Sequence, residues 1–139
     1  MKHLVAIPLL ERAAHAVAVW LSLNPELDVS QAEAHVLGYL HVRKTARIGE
    51  IHEEFGHHRS TLTSVLDRLE RRHLLTRTID PENRRTMIVA LTVSGKKLAA
   101  RVYSSLERFE AQALGRCSAE DQGAFLRVVD AICEAARRD

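Results

Sequence analysis

Between His57 and Thr92 the spacing of hydrophobic positions changes from a helical period to a strand period. Leu62, Val65, Leu66 and Leu69 recur at i, i+3, i+4 and i+7, which places one apolar stripe on a 3.6-residue helix. Leu75 to Ile79 and Thr86 to Leu91 follow as two short runs rich in β-branched residues. They are separated by Asp80-Pro81-Glu82-Asn83-Arg84-Arg85, a turn composition. The pattern predicts a helix that runs into a β-hairpin, the geometry of a winged helix.

The flanking segments are helical in pattern. A first helix is expected from about Leu4 to Leu23, with Leu9, Leu10, Ala13, Ala14, Val17 and Leu21 on one side and Asn24-Pro25 ending it. It is apolar over much of its circumference, so burial on more than one side is expected. Ser30-Gln31-Ala32-Glu33 is a capping box that opens a second helix through Leu40, with Val36, Leu37 and Leu40 facing inward. A short third helix holds Ile48, Ile51 and Phe55. Gly56-His57-His58 then turns the chain into the helix with the Leu62 stripe, so the two form a helix-turn-helix.

After the hairpin, Ser94 is expected to start a long helix with Leu98, Val102, Leu106, Phe109 and Ala113 at intervals of four and three, and Gly115 to end it. Ser118-Ala119-Glu120-Asp121 caps a last helix carrying Phe125, Val128, Val129, Ile132 and Ala136. The first, long and last helices have no substantial sheet to bury them, and a second copy of the chain is the economical cover, because a two-fold interface uses each apolar face twice. The fold class expected is mainly α with a small β-hairpin wing. A winged helix-turn-helix at about 29–92 is flanked by dimerisation helices at about 1–24 and 94–139, all in one domain spanning 1–139.

Composition narrows the picture. The chain has 139 residues, 46% hydrophobic and 4% aromatic, which suits one helix-rich domain and leaves little room for an enzymatic module. Net charge is only +2, so affinity for nucleic acid has to come from clustering. Seven arginines lie between His57 and Arg85, against the acids Asp67, Glu70, Asp80 and Glu82. The polar face of the stripe helix carries Arg59, Ser60, Thr61, Thr63, Ser64, Asp67, Arg68 and Arg71. Short hydroxyls let a helix lie close to a groove floor, and guanidinium groups add phosphate and base-edge contacts. An amphipathic helix with a polar outer face is ordinary by itself. The order helix, strand, basic turn, strand is what points to duplex DNA.

This segment resembles the recognition helix and wing of MarR-type transcriptional regulators, whose wing commonly runs Asp-Pro-x-Asp-Arg-Arg into a strand ending Leu-Thr. Here Asp80-Pro81-Glu82-Asn83-Arg84-Arg85 ends at Leu91-Thr92. The resemblance extends from Val29-Ser30 to Leu40 as the family's second helix and to Ser94-Gly95 as the opening of its fifth. It implies a homodimer on a pseudo-palindromic operator, most often a repressor, modulated by a small ligand or other signal. The two recognition helices would lie roughly one DNA turn apart. It assigns DNA contacts to Arg59, Ser60, Thr61, Thr63, Ser64, Arg68, Asn83, Arg84 and Arg85, with Arg85 in the minor groove, where a narrow A·T-rich groove concentrates negative potential. The chain departs from the family pattern twice. Asn83 stands for the second wing Asp, so a neutral hydrogen bond replaces any charge pairing and Arg85 is expected to be held more loosely. His73 stands for a Gly after the recognition helix, so a different helix exit is expected.

Other residues carry less. Some members of the family bind zinc, and His35 with His15 are the nearest candidates among eight histidines. However, 94–114 contains no His and no pair has the spacing of a closed zinc site, so no metal is expected. His57-His58 could meet phosphate at the helix entry or be plain turn residues. Cys133, beside Ile132, reads as core. Cys117, beside Arg116, is the better candidate for a reactive thiol. Trp20 reads as interface packing. There is no Gly-rich phosphate loop, nucleophile elbow or paired-carboxylate motif, so no catalytic residue, enzyme activity or cofactor is expected. The apolar start from Met1 to Leu10 is interrupted by Pro8 and too short to span a bilayer, so a cytoplasmic, membrane-free protein is expected. The competing reading is a winged helix that docks a protein, or a metal- or thiol-responsive variant of the same fold.

Overall fold

The order of elements in a computed structural model, which describes residues 6–56 and 59–137 and only the backbone of Arg59, is α-α-β-α-α-β-β-α-α. They are α1 (Ala6–Ser22), α2 (Gln31–Arg43), β1 (Thr45–Arg47), α3 (Ile48–Phe55), α4 (Arg59–Arg71), β2 (Leu75–Ile79), β3 (Met87–Leu91), α5 (Val93–Leu114) and α6 (Ala119–Arg137). The chain divides into two compact units, one up to Val102 and one from Tyr103 onward, with the division inside α5.

In the first unit the predicted caps and stripes form as expected. The Ser30 Oγ accepts the Glu33 amide at 3.2 Å, and the Glu33 carboxylate accepts the Ser30 amide at 3.0 Å, so two orphan donors of α2 are satisfied reciprocally. α2 runs on to Arg43, three residues past the expected end. Leu37 and Leu40 of α2, Ile51 of α3 and the stripe Leu62, Val65, Leu66 and Leu69 of α4 are each at most 2% exposed. Burial of each such side chain contributes about 2 kcal/mol. Gly56 ends α3 at φ 57°, a left-handed conformation that costs glycine little.

The expected two-stranded hairpin is the outer part of a three-stranded antiparallel sheet in the order β1-β3-β2. β3 lies centrally, with Ala46 paired to Val89 and Arg77 to Val89 from opposite sides, and Val89 is fully buried. β1 has only three residues and no apolar alternation beyond Ala46, so periodicity could not signal it. Pairing with β3 creates it.

The exit from α4 corrects the second expectation drawn from the resemblance. His73 itself adopts φ 57°. The Leu74 amide donates to the Leu69 carbonyl at 3.0 Å and the His73 amide to that of Glu70 at 2.9 Å. These are the two bonds of a Schellman motif, closed by the buried Leu69 and Leu74. The left-handed exit is therefore retained with a side chain in place, at a strain of about 1 kcal/mol.

Three further expectations are corrected. The described part of α1 begins at Ala6, and its expected start near Leu4 lies outside the described residues. Its apolar residues are not buried on two sides within the chain: Leu21 alone is buried, whereas Ile7, Leu9 and Val19 are more than two-fifths exposed. α5 begins at Val93, one residue before Ser94, and Thr92 is its cap, its hydroxyl accepting the Gly95 amide at 3.0 Å. Cys133 is exposed, as is Cys117, so it is no core residue.

In the second unit, the Ser118 hydroxyl accepts the Asp121 amide at 3.1 Å and the Asp121 carboxylate accepts the Ser118 amide at 3.0 Å, forming the expected cap of α6. The Ser118 donors hold the Asp121 carboxyl below the usual aspartate range. α6 buries no residue within the chain, and Phe125, Leu126 and Val128 are half or more exposed. No helix among the described residues is long and apolar enough to cross a membrane.

Candidate nucleic-acid interface

Commitment of Leu62, Val65, Leu66 and Leu69 to the core turns the opposite side of α4 outward, and Ser60, Thr61, Thr63 and Ser64 are all exposed there. They form a stripe of short hydroxyls over the first two turns. Of Arg59 only the helical backbone is described, and His57 and His58 lie outside the described residues.

The wing tip is built by two successive side-chain turns. The Asp80 carboxylate accepts the Glu82 amide at 2.9 Å, and the Asn83 side-chain oxygen accepts the Arg85 amide at 3.2 Å; each side chain thus bonds the backbone two residues on. Backbone bonds from Asn83 to Asp80 and from Thr86 to Asn83 close the two turns. The neutral bond expected of Asn83 is present, and its partner is the backbone of Arg85, so it fixes the chain from which that side chain projects. Pro81 occupies the second position of the first turn, where its fixed φ is suited.

Asp80 is only 1% exposed. The Glu82 amide and then the Arg47 guanidinium, whose Nε donates to Asp80 at 2.8 Å, hold its carboxyl below the usual aspartate range. Arg47 also reaches Glu82 at 3.2 Å, and Asp80 raises its pKa in turn. Arg47 thereby ties the base of the wing to the start of α3. The sequence reading missed this residue: it lies 33 positions from Asp80, with no local signal joining them.

Electrostatics divide the arginines. Arg77, on β2, donates to Asp67 at 2.6 Å and to both oxygens of Glu70 at 3.0 and 3.3 Å. Glu70 is held below the usual glutamate range by that guanidinium, and Arg77 is raised by Glu70. This cluster braces the wing against α4. Arg68 donates through Nε to Glu33 at 3.2 Å, and Arg72 reaches Glu33 at 3.4 Å and the Asp28 carbonyl at 2.9 Å. The Asp28 carboxylate lies 3.8 Å from Arg72 as well, so three of the seven arginines counted in the sequence are paired with carboxylates within the fold. Arg84 and Arg85 stand exposed at the tip, and among the described residues neither has a carboxylate partner. Arg71 is exposed and bonds a backbone carbonyl of its own helix.

His35 stacks on Phe55 with ring centroids 5.5 Å apart. Among the described residues no group of three His, Cys, Asp or Glu side chains could hold a metal ion.

Residues 29–87 match the model of the MarR family. Over nearly its whole length the chain superposes on the PcaV transcriptional regulator of Streptomyces coelicolor, solved with its natural ligand, at a TM-score of 0.79 and 27% identity, covering 98% of both chains. The segment 29–87 is of the MarR family. A second MarR-type fold, from a MepR–DNA complex of S. aureus, superposes at a TM-score of 0.83 with 21% identity, covering 96% of this chain and 99% of that one. Among curated proteins, this chain is 33% identical over 87 residues to the uncharacterized HTH-type transcriptional regulator YfiV of Bacillus subtilis, which is 63% of this chain and 52% of that protein. It is 35% identical over 71 residues to the transcriptional regulator HosA of Escherichia coli, covering 51% and 53%. The chain thus spans about half the length of the curated relatives it matches.

Proposed function

We propose that this protein is a sequence-specific, double-stranded-DNA-binding transcriptional regulator, a cytoplasmic homodimeric repressor released by a small effector. The observation that carries the reading is a pair of exposed chemistries in the first unit: a stripe of short hydroxyls on a helix anchored by its opposite face, and two arginines on a turn closed by side-chain and backbone hydrogen bonds. In this reading residues 1–139 act as one domain, with 29–92 on DNA and the flanking helices in the dimer. Ser60, Thr61, Thr63 and Ser64 enter the major groove, Arg59 meets the backbone at the helix entry, and Arg84 and Arg85, set by Asn83, take the wing into the minor groove. Arg68, one edge of which is taken by Glu33, offers its exposed edge to phosphate and not to a base. The exposed apolar residues of α1 and α6 support a second copy of the chain as their cover. The MepR–DNA complex and the ligand-bound PcaV, as named, support duplex DNA and a small molecule as partners.

Salt titration against random duplex DNA tests the binding mode. Counting the proposed contact Arg59 with the exposed Arg71, Arg84 and Arg85 of each protomer, the logarithm of the affinity should fall linearly with that of salt, with a slope of about −5 to −7 for a dimer. Failure to bind at low salt would favour a winged helix that docks an acidic protein.

A further inference from the structure

Apolar packing holds α4 on α2 without fixing its rotation sharply, because the hydrophobic contribution is non-directional. Directional restraint comes from one buried carboxylate. Glu33 is 6% exposed. It accepts the Ser30 amide at 3.0 Å, Arg68 Nε at 3.2 Å and Arg72 Nη1 at 3.4 Å. Arg72 also donates to the Asp28 carbonyl at 2.9 Å in the turn between α1 and α2. Asp28 is held there at a left-handed φ of 45°. One carboxylate thus joins the start of α2 to the last turn of α4 at Arg68 and, through Arg72 just past its end, to that turn, by charge-assisted hydrogen bonds, which are short and directional.

We propose that Glu33 is a positioning residue for the recognition helix: through Arg68 and Arg72 it sets the rotation of α4 so that the hydroxyl stripe faces the groove. The proposal rests on the DNA-binding reading above. The required accuracy is high. Side-chain tips lie about 5 Å from a helix axis, so a 20° rotation moves them about 2 Å, more than the whole range of hydrogen-bond lengths allows. A buried carboxylate with no positioning duty would be an expensive way to cap α2, since leaving it with one donor fewer costs more than a neutral side chain would.

The experiment compares the operator-to-random affinity ratio of the wild type, Glu33→Gln, Arg72→Met and the double variant, with DNA selected from a random pool as operator. Glutamine keeps an acceptor for the Ser30 amide but cannot hold two guanidinium groups. Glu33→Gln should lower the ratio about tenfold, Arg72→Met should lower it similarly, and the double variant should be no worse than either, because both act through one cluster. Simple loss of folded protein would reduce both affinities alike and leave the ratio unchanged. In the DNA-free protein, the Arg68 Nε–H resonance should be protected from exchange in the wild type and lose that protection in Glu33→Gln.

An unchanged ratio in Glu33→Gln, additive losses, or an unprotected Arg68 resonance in the wild type would each overturn the positioning role while leaving DNA binding in place. A wild type with no preference among sequences would overturn the DNA-binding reading itself. The resonance would still report on the cluster.

Discussion

Gly95→Ala is expected to destabilise the fold by about 3 kcal/mol. Gly95 is buried at the first turn of α5, and a Cβ there would overlap the Leu74 carbonyl oxygen, which is backbone and cannot swing aside. That carbonyl accepts the Thr92 amide at 3.0 Å, while the Thr92 hydroxyl donates to the His73 carbonyl at 2.6 Å and accepts the Gly95 amide. The entry to α5 is thus bolted directly onto the left-handed exit of α4. A methyl group at position 95 would have to push the two apart, straining a joint already strained at His73. Urea unfolding measures the effect, with the exposed Ser94→Ala as a neighbour expected to stay within about 0.5 kcal/mol of wild type. A Gly95→Ala protein as stable as wild type would mean that the helix start can move away at no cost.

The wing should matter as much to binding as Gly95 does to folding. Replacing both Arg84 and Arg85 by alanine is expected to weaken operator binding by about 2–4 kcal/mol, roughly 30- to 1,000-fold. The salt slope of the dimer should become shallower by about 3 to 4. The size of the effect follows from the pairing of Arg68, Arg72 and Arg77 with carboxylates inside the fold, which leaves the tip as a large share of the remaining positive charge. It follows also from preorganisation: two side-chain turns and the Arg47–Asp80 pair fix the tip before DNA arrives, so little ordering is lost on binding. Stability should change little, since both side chains are exposed. A double variant with the affinity and slope of the wild type would remove the wing from the mechanism.

Much of the fold was legible because its signals are local. The α4 stripe, the Ser30 and Ser118 caps and the strand runs on either side of Asp80-Pro81 each declare themselves within a few residues, and each forms as expected. What was hidden depends on distant partners. β1 is a strand only because β3 lies beside it, and Arg47 is a wing residue only because the sheet carries it to Asp80. The arginine count misled for the same reason. Asp67 and Glu70 looked like diluting acids on a basic face, whereas β2 brings Arg77 onto both and leaves the cluster with one net negative charge. His73 shows a different limit: the sequence revealed that glycine was missing from the exit, but the backbone bonds of Leu74 to Leu69 and of His73 to Glu70 keep the left-handed turn at the cost of strain. Cys133 was misassigned because an apolar helical face does not say what covers it, and within this chain nothing buries it.

The central claim is that this surface reads the sequence of duplex DNA as a symmetric pair. Selection of bound duplexes from a random pool tests it most directly. The prediction is a pseudo-palindrome whose half-sites are centred about one helical turn, 10–10.5 base pairs, apart. Recovery of no enriched sequence, or of a single site without two-fold symmetry, would contradict it.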